Sequence, residues 1–335
     1  MKHPVVVTLL LLAAVFLLFV LNLFIGSVDI PVADVGRVLT GKPSQPSWEF
    51  IILHGRLPQA VTAVFAGMSL SVSGLLLQTA FRNPLAGPSI FGVSSGAALG
   101  AAVVMLLLPH LSFGGLVVFG GGCLVVVGAF LGALLVTAVV FAFSLRMTQP
   151  VSLLIVGIMV GSLASSVIML LNFFATEQGV HSYLVWGMGN FSGISSAQLP
   201  LFVWGTLVLL AGALFLSKWL NLLLLGDAYA ASLGISPRRV RVWLLLLTSL
   251  LTALTTAFCG PIAFIGLAVP HLARLAYRTS DHRLLLPATL LTGAVVCLAC
   301  NLLSTGMPSS GIIPLNAITP LIGAPIVIYL LTRQA

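Results

Sequence analysis

The sequence has 335 residues, of which 59% are hydrophobic and 6% are charged, and its mean hydropathy is +1.20. So few polar side chains cannot cover the surface of a water-soluble globule of this size. Most of the chain must therefore face lipid or another buried segment. The composition predicts an all-α polytopic membrane protein, and the lipid bilayer is its first expected partner.

The first apolar run, residues 5–25, follows Lys2 and could be mistaken for an export signal. It is longer than the roughly 7–15 apolar residues of a signal peptide, and no small-residue cleavage site closes it. We therefore expect a transmembrane helix here. Residues 57–81 form a second, charge-free run that exceeds the roughly 20 residues needed to cross about 30 Å of hydrocarbon.

Apolar runs between breaking residues predict about ten transmembrane helices along the chain. Their expected positions are near residues 4–25, 57–81, 90–108, 114–143, 151–174, 198–217, 240–258, 262–276, 284–304 and 315–331. The eighth is short, and we expect it to cross as a helix broken at Pro270.

Ten spans would place both termini on one side of the membrane. All but three of the 14 Lys and Arg residues fall on the side of the termini, and only Arg37, Lys42 and Arg56 fall on the other. By the positive-inside rule both termini are expected in the cytoplasm. The net charge of +8 then reflects topology and requires no nucleic-acid partner.

Two short motifs resemble enzyme signatures. Residues 36–43, GRVLTGKP, begin like a phosphate-binding loop, but Pro43 stands where Ser or Thr would hold magnesium, and we interpret the match as chance. Residues 92–96, GVSSG, match the nucleophile elbow of hydrolases, yet they open a membrane helix. Gly92, Gly96 and Gly100 are instead predicted to form a small-residue packing face, as are Gly157 and Gly161.

The ionisable residues argue against several kinds of chemistry. All six acidic residues fall in predicted loops or at helix ends, whereas an ion-coupled carrier or an intramembrane protease usually needs such a group inside the membrane. The histidines show no metal-ligand spacing, and the four cysteines lie in apolar runs that favour packing. We therefore expect no catalytic residue, no metal site and no cofactor in this chain.

The fifth predicted helix carries a stripe of weakly polar residues on one face. Its members are Ser162, Ser165, Ser166, Met169 and Asn172. Packing through small and hydroxyl side chains explains this stripe about as well as the lining of a transport pathway does. Asn301, Asn316 and Thr319 on the last two helices could line the same cavity.

The longest loop on the predicted cytoplasmic face spans residues 218–242. It contains Gly226 and Asp227, then a short helix-like stretch that Gly234 should end, and then Pro237, which should open the next span. With no ion site and no nucleotide site in the chain, transport is expected to be passive or powered by another subunit. A peripheral motor protein that pushes on this short helix fits the second option. An ordinary interfacial helix, held to acidic lipid by Arg238, Arg239 and Arg241, is the alternative.

Several long motifs, in order, resemble the permease subunits of the iron-siderophore, haem and cobalamin ABC importers, the type II importers. They are Arg56-Leu57-Pro58, residues 83–100, residues 226–234, residues 260–274 (GPIAFIGLAVPHLAR) and Gly323-Ala324-Pro325. The similarity covers essentially the whole chain. It implies one permease domain over residues 1–335, with about ten helices and a cytoplasmic coupling loop at about 218–240.

The resemblance also implies partners and roles for residues. The permease would pair with a second copy as a homodimer or pseudo-dimer in a bacterial inner membrane. It would contact two ATPase subunits, which hold the ATP and magnesium, and an external substrate-binding protein. The implied contacts are Gly226, Asp227, Ala228, Ala230, Leu233 and Gly234 for the ATPase, Arg56 for the binding protein, and Thr148, Gln149, Pro150, Val151 and Ser152 for a cytoplasmic gate. The sequence departs from the family at Gln59, where a second Arg is usual, and before Pro314, where a further Arg and an acidic residue are usual.

The expected function is therefore ATP-driven import of a bulky siderophore, haem or cobalamin by alternating access, with hydrolysis on another subunit. A secondary active transporter is the main alternative, and a polytopic membrane enzyme is a distant third.

Overall fold

A computed structural model describes residues 2–107, 114–144, 146–147, 150–306 and 313–334. Every regular element in these ranges is helical. The α-helices are α1 (Lys2–Phe24), α2 (Val32–Leu39), α3 (Pro46–Phe50), α4 (Leu57–Phe81), α5 (Val93–Ala102), α6 (Gly114–Ser144), α7 (Pro150–Phe174), α8 (Glu177–Gly187), α9 (Leu199–Phe215), α10 (Ser217–Leu224), α11 (Asp227–Ser232), α12 (Pro237–Cys259), α13 (Ile265–Tyr277), α14 (His282–Thr305) and α15 (Leu315–Gln334).

Not every predicted span forms a long straight helix. Within the described residues, six helices are long and apolar enough to cross a membrane, and a seventh crossing is possible if α9 and α10, which meet at a bend of 46°, are taken together. The remaining predicted spans are helical but shorter, such as α5 with its π-helical extension Val103–Leu107. A short helix can lie at membrane depth when neighbouring helices, and not lipid, surround the unpaired N–H and C=O groups at its ends.

Helix α4 is the centre of the bundle. It packs against α12, α13 and α14, and most of its side chains, from Ala66 to Phe81, are buried. Serine and threonine hydroxyls on α4 form hydrogen bonds inside this core. The Ser69 hydroxyl donates to the Leu251 carbonyl of α12 at 3.0 Å, and the Thr79 hydroxyl donates to the Leu75 carbonyl of α4 at 2.9 Å.

Glycines bring helices α5, α6 and α7 into close contact, as the sequence predicts. A β-carbon added at Gly96 would lie 2.6 Å from the Gly132 carbonyl oxygen of α6, and one added at Gly92 would lie 2.8 Å from the Gly157 carbonyl oxygen of α7. These separations are too small for any side chain. Gly92 thus packs against the second predicted glycine face, at Gly157 and Gly161, whereas Gly96 packs against α6, so residues 92–96 form helix contacts.

The prediction that Pro270 breaks the eighth span is wrong. Helix α13 continues through Pro270, and the break lies earlier, in the extended segment that precedes it, where Gly260 and Phe264 have φ values of +72° and +67°. Proline has no N–H, so Pro270 cannot donate the usual helix hydrogen bond to the Gly266 carbonyl. That carbonyl lies against Gly74 of α4, which has no side chain to block the close approach. At 13 residues, α13 is about 20 Å long, too short to cross alone.

Candidate functional site

Between α9 and α12 the structure contains the short helix, ended by Gly234, that the sequence predicts. Helix α11 is a separate helix of six residues between Gly226, with φ +111°, and Gly234, with φ +80°. Behind Gly234, the Ile235 amide donates to the Ala230 carbonyl at 3.1 Å, and the Gly234 amide donates to the Ala231 carbonyl at 3.0 Å. This pattern is the Schellman motif, in which a left-handed glycine ends a helix. We call residues 226–234 the coupling segment.

One carboxylate holds the coupling segment to two other helices. Asp227 accepts hydrogen bonds from Arg82 at 2.8 Å and from Arg241 at 2.9 Å. Each arginine also binds backbone: Arg82 donates to the Leu223 carbonyl at 3.0 Å, and Arg241 donates to the Ala80 carbonyl at 2.8 Å. Asp227 therefore connects α11 to the end of α4 and to the start of α12.

A second connection joins α10 to the same end of α4. The Asn221 side chain donates to Asp281 at 2.5 Å, and its oxygen accepts from the His282 amide at 2.8 Å. In the His282 ring, Nδ1 lies 2.9 Å from the same Asn221 oxygen, and Nε2 lies 2.8 Å from the Thr79 hydroxyl. The backbone amide of Arg283 and the side chain of Asn221 lower the pKa of Asp281, which caps α14.

The faces of α11 divide into an inner and an outer one. Ala230 is fully buried against the bundle, whereas Ala228, Tyr229 and Leu233 are exposed, with Tyr229 at 55% and Leu233 at 53%. Tyr229 and Leu233 are four residues apart and so lie side by side on the helix. The sequence analysis did not select Tyr229 or Arg82, and it gave Arg241 only a contact with acidic lipid. Local motifs show neither which side chains are exposed nor which arginines meet Asp227.

The predicted pathway stripe lies on the side of α7 that faces away from α5 and α6. Ser162, Ser165, Ser166 and Met169 are exposed, and Asn172 is half-buried. The three serine hydroxyls donate to carbonyls one turn earlier in α7, at 3.0–3.1 Å. Leu170 and Phe173 are also exposed, so exposure alone does not distinguish a pathway from a lipid surface.

The remaining predicted pathway residues do not join that stripe. Asn301 is 3% exposed and binds Asn22 at 2.7 Å and Gln59 at 2.9 Å, and Thr319 is 2% exposed. Asn316 holds the extended segment before α13, donating to the Pro261 carbonyl at 2.6 Å and accepting from the Ala263 amide at 3.0 Å. Helix α15 packs on α13 and α14, whereas α7 packs on α5 and α6, so within one chain these residues and the stripe have different neighbouring helices.

Arg56 does not lie on the outer surface. Arg56 is 7% exposed, and its guanidinium donates to the carbonyls of Leu23 and Phe24 at the end of α1 and of Val28 in the loop that follows. The unpaired carbonyls of a helix end are acceptors that a cation satisfies well. This placement corrects the expectation of a surface docking contact, because Arg56 instead anchors the end of α1.

The predicted gate is only partly within the described residues. Thr148 and Gln149 lie outside them, as does the side chain of Val151. Pro150 is the first residue of α7, where its missing N–H removes no helix bond, and Ser152 is half-buried.

No group of three or more His, Cys, Asp and Glu in the described part of the chain could hold a metal ion. Cys259, Cys297 and Cys300 are buried and Cys123 is exposed.

Comparisons with known proteins agree on one group of relatives. The family described as the FecCD transport family matches residues 11–333. The chain is 34% identical to the hemin transport system permease protein HmuU of Yersinia pestis, over 97% of this chain and 96% of that protein. It is 37% identical to the vitamin B12 import system permease protein BtuC of Vibrio cholerae, over 83% and 82% of the two chains.

The fold has a solved counterpart. A metal-chelate type ABC transporter in an inward-facing conformation superposes with a TM-score of 0.84 and 30% sequence identity, covering 97% of this chain and 98% of that chain.

Proposed function

Because this chain belongs to the FecCD transport family, we propose that it is the permease subunit of an ATP-driven importer for a bulky siderophore, haem or cobalamin. The chain is a multi-pass membrane protein of an ABC importer family whose members are transport subunits and not enzymes. Relatives named for hemin and for vitamin B12 support this class of substrate.

The coupling segment is the observation that carries the proposal. A short helix that stands between two spans, presents Tyr229 and Leu233 outward, and is tied to α4 through Asp227 can pass a push from an attached protein into the bundle. Two cytoplasmic ATPase subunits, which hold the ATP and magnesium, would supply that push. Alternating access follows when the push moves α4 and the helices packed on it.

Two copies of the chain would form the pathway. The stripe on α7 faces away from the chain's own helices, which is the position a second copy or a central pathway needs. Its serines are satisfied within the helix, so they would pass a large solute without binding it tightly. Selection would then rest with an external binding protein, in an inner-membrane assembly with both permease termini in the cytoplasm.

A secondary active transporter is the second candidate, and the positions of the acidic residues disfavour it. Asp29 lies in a loop, Asp227 and Asp281 lie at the starts of α11 and α14, and the other three lie in or at the start of the short helices α2, α3 and α8. Glu49 lies in the first turn of the continuous 36-residue helix Pro46–Phe81, and none of the six acidic residues lies near the middle of a long span, where proton or sodium coupling usually needs a carboxylate.

Reconstitution in liposomes separates the two functions. The permease is reconstituted with its ATPase and binding protein, and uptake of labelled haem, cobalamin and a ferric siderophore is measured with ATP inside. We expect uptake that needs ATP and both partners. Uptake by the permease alone, driven by a proton or sodium gradient, would instead establish the secondary transporter.

A further inference from the structure

A cavity of about 360 Å³ lies between the bend of α9 and α10 and the first turns of α12. Its walls include Leu216, Trp219, Arg239, Val240 and Trp243. The volume is within the roughly 300–1,000 Å³ that is usual for small-molecule sites. Gly234, the last residue of the coupling segment, also belongs to the wall, whereas none of the predicted pathway residues does.

The walls combine apolar side chains with one positively charged side chain, that of Arg239. Among the described residues, the guanidinium of Arg239 has no hydrogen-bond or ion-pair partner, in contrast to that of Arg241 two residues later. Arg238 and Lys218, the sequence neighbours of two wall residues, are also exposed. The cavity thus offers its occupant a positive charge at one side and aromatic and aliphatic surface at the other.

The surroundings connect the cavity to the lipid-facing surface of the protein. Phe215, at the end of α9, is 83% exposed, and Val208 on the same helix is 69% exposed. Trp219 and Trp243 are 42% and 63% exposed, and tryptophan is the residue that prefers the boundary between hydrocarbon and headgroups. The cavity therefore adjoins the exposed apolar surface of α9, so an occupant with an acyl chain could extend along that helix.

We propose that this cavity binds an anionic phospholipid, with the headgroup phosphate on Arg239 and an acyl chain between Trp219 and Trp243. The start of α12 adds the partial positive charge of a helix N-terminus, with Pro237 as its first residue. Arginine suits this role because its planar guanidinium binds phosphate oxygens in pairs. The site goes beyond the transport function and does not depend on the identity of the substrate.

Quenching of tryptophan fluorescence by brominated lipids tests the site in the full-length chain. The chain has five tryptophans, so Trp48, Trp186 and Trp204 are replaced by Phe, which leaves Trp219 and Trp243 as reporters. The protein is placed in vesicles with increasing mole fractions of brominated phosphatidylglycerol or brominated phosphatidylcholine. One cation near an anionic headgroup should lower the mole fraction for half-quenching by phosphatidylglycerol about fivefold relative to phosphatidylcholine.

Two further variants separate a site from general attraction to acidic lipid. Arg239→Gln should remove the preference for phosphatidylglycerol, whereas Arg283→Gln, at an exposed cation on the same face, should leave it unchanged. Equal quenching by the two lipids overturns the proposal. A preference that survives Arg239→Gln, or one that Arg283→Gln also removes, overturns it too, because the attraction would then be diffuse.

Discussion

Asp227 and Arg241 form an ion pair at 2.9 Å that joins the helix of the coupling segment to the first turns of α12. The same carboxylate binds Arg82 at 2.8 Å, and both arginines bind backbone carbonyls at the ends of neighbouring helices. A partly exposed ion pair adds only about 0.2–1 kcal/mol to the free energy of unfolding. Its value here would lie in fixing the direction in which α11 moves.

We therefore expect Asp227→Ala to uncouple transport from ATP hydrolysis with little loss of stability. The purified complex should still hydrolyse ATP but should import less solute per ATP, and its melting temperature should fall by only a few degrees at most. Asp34→Ala is the matched control, since Asp34 forms a single ion pair with exposed Arg37 at 3.1 Å, far from the coupling segment. An unchanged ratio of solute to ATP in Asp227→Ala would remove the coupling role.

The second prediction concerns Gly234. No atom lies within 4 Å of the place where its β-carbon would be, so a side chain there meets open space, and only the φ of +80° resists it. Gly234→Val should therefore cost roughly 1–2 kcal/mol in local backbone energy and lower transport, while membrane insertion stays normal. Gly234→Asn should be milder, because asparagine tolerates the left-handed region.

Gly36→Val provides the control for Gly234. Gly36 also has open space around it, but it lies within helix α2 and has no positive φ. If both glycine variants lose transport equally, the left-handed end of α11 is not the cause.

The third prediction separates the anchoring of α1 by Arg56 from docking of a binding protein. Arg56→Gln should lower the free energy of unfolding by on the order of 3 kcal/mol, because carbonyls at the end of α1 lose a charged donor. The folded fraction should capture the binding protein at the normal rate. Lys42→Gln is the control, as an exposed cation on the same face. A slower association for Arg56→Gln at full stability would instead favour docking.

The fourth prediction concerns the contact between α5 and α6. Gly96→Ala would place a methyl group 2.6 Å from the Gly132 carbonyl oxygen and should destabilise the protein by about 1–3 kcal/mol through overpacking. Gly122→Ala on α6, which meets no atom within 4 Å, should change stability little. Thermal unfolding in detergent compares the two, and equal melting temperatures would contradict the close packing.

The last prediction concerns the stripe on α7. In a background without the four native cysteines, Ser162→Cys and Ser166→Cys should react with a small water-soluble thiol reagent, and their reactivity should change when nucleotide binds to the complex. Ala164→Cys, on the buried side of α7, should stay protected. Absence of labelling at all three positions in every nucleotide state would make the stripe a packing or lipid surface.

The sequence alone determined the membrane class, the positions of most helices and the ends of the coupling segment, because these depend on local properties. A charge-free run such as residues 57–81 must be a helix in lipid, and Gly234 and Pro237 are local signals for the end of one helix and the start of the next. The spacing of the glycines on α5 likewise anticipated a close helix contact, although it could not identify Gly132 as the neighbour.

Only the tertiary structure decided which distant residues meet. Arg56 is at the end of a span in the sequence, yet a bend of the chain buries it against the last carbonyls of α1. Pro270 stays within a helix because Gly74, nearly 200 positions earlier, leaves room for the carbonyl it frees. Asp227 finds Arg82 and Arg241 for the same reason: contacts between separate helices depend on how the helices pack, which no local pattern along one helix encodes.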